Sequence, residues 1–105
     1  HEATKVAKEM APELAIDGEM QFDAAVSETV GQLKFPGSPV AGHANTFVFP
    51  DLQSGNIGAK IAQRFGGFEL FGPLLQGLNA PINDLSRGCN AEEVYITSIL
   101  TAAMA

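Results

Sequence analysis

The fold is predicted most directly from residues 46–67, TFVFPDLQSGNIGAKIAQRFGG. Its first four residues, Thr46 to Phe49, are β-branched or aromatic and are followed by Pro50 and Asp51, a pattern typical of a buried strand in a parallel sheet. Ser54 is the predicted N-cap of a following helix, which two glycines end. The predicted apolar face of that helix comprises Ile57, Ile61, Ala62 and Phe65.

The same kind of alternation extends along the rest of the chain. Residues 1–10 predict an amphipathic helix, and because they resemble the middle of a helix without an initiator Met, we expect the chain to be either a fragment or a processed or trimmed protein. Further predictions are a strand and turn over 14–22, a helix over 23–33, a loop over 35–42, an interrupted apolar segment over 68–78 and a helix over 91–105. Strands that alternate with helices predict an α/β fold with parallel strands.

Composition limits the classes of partner. The 105 residues are 46% hydrophobic and carry a net charge of −6, with the six basic residues scattered, so we expect neither nucleic acid nor an anionic membrane as partner. The single cysteine, Cys89, allows no internal disulfide and no zinc motif with the two histidines. Without an 18-residue apolar run or a signal-peptide pattern, the expected compartment is a reducing cytoplasm.

The segment PINDLSRGCNAEEV, residues 81–94, is the strongest candidate for chemistry. It is a polar loop that enters the last predicted helix, whose first N–H groups and positive dipole end favour an anion. Arg87 adds a planar guanidinium that matches two phosphate oxygens, and Ser86 adds a neutral hydroxyl. The loop therefore predicts a site for a phosphate or an acyl phosphate.

Structural roles compete with these functional ones. Asn90 and Glu93 have the spacing of a capping box, so helix capping alone is one explanation for Glu93, and arginines such as Arg87 are often surface ion-pair partners. Residues 54–58, SGNIG, lack the spacing of a nucleotide-phosphate loop and predict capping. For Cys89, burial is the favoured role.

Several segments together resemble the phosphate acetyltransferases. They are DGEMQFDAA at 17–25, GSPVAGHANTFVFPDLQSGNIGAKIAQRFGG at 37–67, GPLLQGLNAPINDLSRGC at 72–89 and the closing helix. The string NDLSRGC is the most specific of these, and phosphate butyryltransferases and the related domain of some malic enzymes match it less well. The resemblance covers nearly the whole chain and is to the C-terminal portion of this family.

The resemblance implies an architecture. Members have a parallel-sheet, three-layer fold like that of isocitrate and isopropylmalate dehydrogenases, with a cleft between two α/β domains. Residues 1–76 would belong to the second domain, and residues 77–105 would return to the first with the loop and the last helix. Half of the cleft would then lie outside this chain, so we expect the 105 residues alone to be inactive.

The resemblance also implies an activity and roles for single residues. Members transfer an acetyl group reversibly between coenzyme A and phosphate, without a metal or a tightly bound cofactor, and tend to dimerise. By matching positions, Arg87 would bind phosphate or acetyl phosphate, and Ser86 would hydrogen-bond near the thioester sulfur. Glu93 stands where the family usually has Asp, the expected general base for the thiol, and Arg64 would be a second anion contact.

Two other functions remain open from the sequence. The chain could be a non-catalytic regulatory or oligomerisation domain of the same type, appended to a larger enzyme such as a malic enzyme. It could also be an unrelated small α/β binding module. An intact NDLSRGC string argues against the first of these, and the number of matching segments argues against the second.

Overall fold

The computed structural model describes residues 1–105 and contains five α-helices and no β-strand. The chain forms two compact units, a first unit over His1–Val48 and a second unit over Phe49–Ala105. The first unit holds α1 (Glu2–Met10), α2 (Phe22–Val26) and α3 (Glu28–Lys34), and the second holds α4 (Leu52–Phe65) and α5 (Ala91–Ala103). The boundary predicted at 76/77 concerns domains of a longer protein and stays a prediction.

The helix predicted at the start of the chain is confirmed as α1. It begins with the acidic Glu2 and has Lys8 in its last turn, which is the favourable order of charges for a helix dipole. Lys8 Nζ donates to Asp17 Oδ1 at 3.0 Å, and this contact joins α1 to the segment that follows it.

The single helix predicted over 23–33 is wrong, because the structure has two short helices there. The chain leaves the helical conformation at Ser27, whose φ and ψ are −104° and 117°. The Ser27 side chain then accepts from the Val30 N–H and caps α3. A serine hydroxyl competes well for backbone donors, so the helix is interrupted and restarted at this residue.

The first unit is held together by small residues. The predicted loop over 35–42 is confirmed, and it returns to α2 because the Gly42 N–H donates to the Ala24 carbonyl at 2.9 Å. Backbones approach so closely that a Cβ built on Gly31 would lie 2.8 Å from the Ala41 carbonyl carbon. The buried apolar side chains are those of Ala24, Ala25 and Ala41.

In the second unit the predicted helix is confirmed, but its predicted N-cap is wrong. Asp51, not Ser54, is the N-cap of α4, and its Oδ1 accepts from the Ser54 N–H at 2.7 Å and from the Ser54 hydroxyl at 2.8 Å. The Asp51 carboxylate caps an N–H group in the first turn of the helix. The helix therefore starts one turn earlier than predicted. It ends at Gly66, as predicted.

Glycines on α4 make room for an aromatic ring. A Cβ built on Gly58 would lie 2.9 Å from Phe49 Cζ, and one built on Gly55 would lie 3.6 Å from Phe49 Cβ. The prediction that the SGNIG segment caps the helix is wrong, because the segment lies inside α4. Its glycines instead let the Phe49 ring lie against that helix.

Neither predicted strand, over 14–22 or over 46–49, forms in this chain. A strand needs a neighbour to bond its alternate N–H and C=O groups, and these segments have none here. The α/β parallel-sheet fold requires partners that this chain does not supply, and it stays a prediction for a longer protein.

Large apolar side chains are mostly exposed. The accessible surface is 8273 Å². Two separate compact proteins, each with half the 11.0 kDa mass of this chain, would together expose about 6,800 Å². No large side chain is fully buried, and Val48 and Phe65 are 96% and 89% exposed. The chain therefore presents apolar surface that a complete protein of this size normally covers.

The last predicted helix is confirmed as α5, which ends at Ala103. No helix of the chain has both the length and the apolar character needed to cross a bilayer.

The close packing of Gly42 can be tested against Gly37. Both have φ of +84°, but a Cβ on Gly42 would lie 2.6 Å from Glu28 Cα, whereas a Cβ on Gly37 meets nothing within 4 Å. Gly37→Ala should lower the free energy of unfolding by about 1–2 kcal/mol through backbone strain alone. Gly42→Ala should lower it further, as measured by denaturant unfolding, and equal losses would contradict the clash.

The Asp51 cap predicts a pH dependence. Hydrogen bonds from the Ser54 N–H and hydroxyl hold the pKa of Asp51 below its ordinary value of 3.8. Because the folded pKa is lowered, the cap stabilises α4 above the unfolded pKa and is lost as pH falls through the folded pKa. The Ser54 amide shift in NMR should titrate below pH 3.8, and Asp51→Asn should abolish that transition while it keeps the helix. A midpoint above the ordinary value would refute the cap.

Candidate functional site

The loop before α5 forms a tight turn that leaves an arginine exposed. The Cys89 N–H donates to the Ser86 carbonyl at 2.9 Å, and the Gly88 N–H donates to Ser86 Oγ at 3.3 Å. Arg87 lies at the centre of this turn, exposed, and forms neither an ion pair nor a side-chain hydrogen bond. The surface ion pair considered for Arg87 is therefore not formed, and its guanidinium keeps all its donors free.

The start of α5 carries a complete capping box. Asn90 Oδ1 accepts from the Glu93 N–H at 2.9 Å, and Glu93 Oε2 accepts from the Asn90 N–H at 3.1 Å. The structural role considered for Glu93 is confirmed. The sequence spacing was sufficient to find it, since capping boxes are local.

Glu93 also bonds a residue of another helix. Gln63 Nε2 on α4 donates to Glu93 Oε1 at 3.3 Å. The oxygen of the same amide, Gln63 Oε1, is buried without a hydrogen-bond partner. Sequence reasoning missed Gln63, because nothing in the α4 pattern marks which of its glutamines faces α5.

Asn83 ties the loop to two other parts of the second unit. Its Oδ1 accepts from the Leu75 N–H at 2.7 Å, and its Nδ2 donates to Thr101 Oγ1 at 2.8 Å. The Thr101 hydroxyl in turn donates to the Thr97 carbonyl at 2.6 Å. Asn83 was also missed, although it is the first residue of the NDLSRGC string, and it orders the chain three residues before Ser86.

Arg64 lies apart from this turn along the chain, in the last turn of α4. It is exposed, and it has no ion pair or side-chain hydrogen bond. A cation at the C-terminal end of a helix is favoured by the helix dipole, so Arg64 also has a structural reason to be there. Its role as an anion contact stays a prediction.

The remaining candidates have no chemical partners. Cys89 is a half-buried free thiol, and His43 is exposed. No three His, Cys, Asp or Glu side chains lie close enough together to hold a metal ion.

A free arginine in a turn, a serine hydroxyl and a capping carboxylate all lie within residues 86–93. The model of the phosphate acetyl/butaryl transferase family matches residues 1–102. This chain belongs to that family.

Individual relatives are phosphate acetyltransferases. The chain is 62% identical to the phosphate acetyltransferase of Bacillus subtilis strain 168 over 104 residues, which is 99% of this chain and 32% of the relative. It is 57% identical to a Staphylococcus epidermidis phosphate acetyltransferase over 109 residues, 99% of this chain and 33% of the relative. The chain thus spans about a third of the length of the curated relatives it matches.

A solved structure is similar as well. The EutD phosphotransacetylase from Staphylococcus aureus matches 98% of this chain and 32% of its own, with a TM-score of 0.84 and 55% identity. The local folding described above therefore resembles that of the corresponding third of a longer enzyme.

The capping role of Glu93 can be tested by substitution. Glu93→Gln should keep the first turn of α5, because glutamine also closes a capping box, whereas Glu93→Ala should fray it by about 1 kcal/mol. Hydrogen-exchange protection of the Asn90 and Glu93 amides in the protein that carries this chain measures the difference. Equal protection in both variants would show that the box contributes nothing.

Proposed function

We propose that the longer protein to which this chain belongs transfers an acetyl group reversibly between coenzyme A and inorganic phosphate. Membership of the family and the names of relatives that match 99% of the chain support this proposal. Those relatives favour it over an appended regulatory domain of a larger enzyme. The intact NDLSRGC string adds support, because it holds both a free cation and a hydroxyl.

The observation that carries the proposal is the free guanidinium of Arg87. It stands exposed in a turn directly before a helix N-terminus, where nothing in the chain neutralises it. Acetyl phosphate and coenzyme A are both anionic, so their encounter needs cations that relieve the repulsion between them. Arg87 would bind two phosphate oxygens and stabilise the charge that collects on phosphate as it leaves.

Ser86 and Glu93 keep the hydrogen-bonding capacity that their proposed roles need. Ser86 Oγ accepts from the Gly88 N–H, so its own O–H remains free to donate towards the thioester sulfur. Each carboxylate oxygen of Glu93 accepts one N–H and keeps a second lone pair. Capping therefore does not prevent Glu93 from acting as a general base.

The reaction then follows from these groups. Glu93 would take the proton of the coenzyme A thiol, and the thiolate sulfur would attack the acetyl carbonyl of acetyl phosphate. The carbon–oxygen bond to phosphate breaks, and phosphate leaves towards Arg87 while acetyl-CoA forms. No metal and no tightly bound cofactor takes part in this proposal, and Arg64 would be a second contact for an anionic substrate.

The proposed architecture assigns the missing contacts to the rest of the longer protein. Residues 1–76 would lie in the second of two α/β domains and residues 77–105 would return to the first. Residues 46–49 would pair with strands outside this chain in a three-layer parallel sheet. The exposure of apolar side chains such as Val48 supports this, since a sheet buries such residues.

The setting of the protein is part of the same proposal. We place it in the cytoplasm, where a single unpaired Cys89 would stay reduced. We also propose a dimer of the longer protein, because part of its apolar surface would be covered by a second copy. The 105 residues alone would have no turnover, since half of the cleft would be absent.

Substitution of Arg87 in the longer protein tests the proposal. Arg87→Ala should lower kcat/KM for acetyl phosphate formation by about 100-fold or more, because one preorganised donor to developing charge is lost. Arg87→Lys should retain part of the rate, since it keeps the charge without the planar fork. The measurement is release of coenzyme A thiol from acetyl-CoA and phosphate.

Lys5→Ala is the matched control, an exposed cation of α1 with no ion pair, and it should leave the rate unchanged. An Arg87→Ala enzyme as fast as the wild type would remove Arg87 from the site. Absence of any acetyl transfer in the wild-type longer protein would reject the proposed function itself.

A further inference from the structure

We infer that Gln63 is a positioning residue for Glu93, holding its carboxylate in the orientation that accepts a thiol proton. The inference rests on the proposed function and extends it to a residue on a different helix. Gln63 Nε2 and Glu93 Oε1 are 3.3 Å apart although the residues are 30 positions apart in the chain. Both side chains are partly buried, which reduces the competition from water for this contact.

Two donors meet the two oxygens of one carboxylate. The Asn90 N–H bonds Oε2 at 3.1 Å, and the Gln63 amide bonds Oε1. With one donor, the carboxylate could still turn about its last torsion, which is broad for glutamate. The second donor defines its plane, and the remaining lone pairs then point in set directions.

The length of the glutamate side chain makes this restraint necessary. Glutamate has one more rotatable bond than aspartate, and each added rotor widens the volume over which the carboxylate moves. A general base works only when it lies within hydrogen-bond reach of its proton. Gln63 and the capping box together reduce the freedom that the extra methylene introduces.

The orientation of the Gln63 amide has a cost that stability alone does not explain. Its Nε2 must face the carboxylate, because an amide oxygen there would face a second acceptor. Its Oε1 is consequently buried without a donor. An unsatisfied buried acceptor is unfavourable, so an apolar residue at this position would join the helices at lower cost.

The test compares Gln63→Leu with wild type in the longer protein. Leucine removes the donor to Glu93 and also the unsatisfied acceptor, so thermal stability should be retained. We expect kcat to fall by at least about 10-fold, as expected for the loss of a hydrogen bond to a charged group. The KM values for acetyl-CoA and phosphate should not change, because the inferred role of Gln63 is to orient Glu93 and not to bind a substrate.

Gln53→Leu is the matched control, since Gln53 is an exposed glutamine of the same helix with no side-chain hydrogen bond. Its kcat should equal that of the wild type. If Gln63→Leu fails to fold, Gln63→Met, which has nearly the same length and no branch, gives the same measurement.

The outcomes separate the two proposals. A stable Gln63 variant with wild-type kcat overturns the positioning role, as does a loss of kcat that only matches a loss of folded protein. A wild-type enzyme that transfers no acetyl group overturns the proposed function instead. A stable variant with reduced kcat and unchanged KM supports the positioning role.

Discussion

The first N–H groups of α5 have no acceptors within the helix, and Asn90 and Glu93 satisfy two of them. This requirement determines where Glu93 points. The same capping box orients the loop that precedes the helix, because the N-cap residue Asn90 directly follows the turn that carries Ser86 and Arg87. Capping and the proposed chemistry therefore share one carboxylate, and each depends on the same local geometry.

The other helix of the second unit, α4, contacts the same carboxylate through Gln63. Asn83 adds a further link between the loop and the C-terminal half of α5. These side-chain contacts order a polar loop that has few buried apolar residues around it. In this loop, hydrogen bonds between side chains therefore contribute more to local order than apolar packing within the chain does.

The first unit depends on a different constraint, the close approach of backbones. Gly31 and Gly42 allow α2, α3 and the following loop to meet with only alanines between them. The remaining large apolar side chains are exposed, and the chain spans about a third of its relatives. Such a surface has the composition of an interior that other parts of a longer protein cover.

Local patterns in the sequence determined much of this protein. The presence of α1, α4 and α5, the glycine end of α4 and the Asn90–Glu93 box all follow from local patterns, and the family resemblance follows from ordered motifs such as NDLSRGC. Some local predictions failed where a polar side chain accepted a backbone N–H at a residue that periodicity does not mark. Asp51 capped α4 in place of Ser54, and Ser27 divided a helix, because periodicity does not rank competing caps.

Only the tertiary structure decided which distant residues meet. The Gln63–Glu93 bond, the Asn83 links and the approach of Gly42 to Glu28 join residues that no local period relates. The strand predicted over 46–49 is absent for a related reason. A strand requires a neighbouring strand, and residues 46–49 by themselves do not specify one. The physical reason is that helix caps and turns are closed by short loops of chain, whereas long-range contacts depend on the path of everything between them.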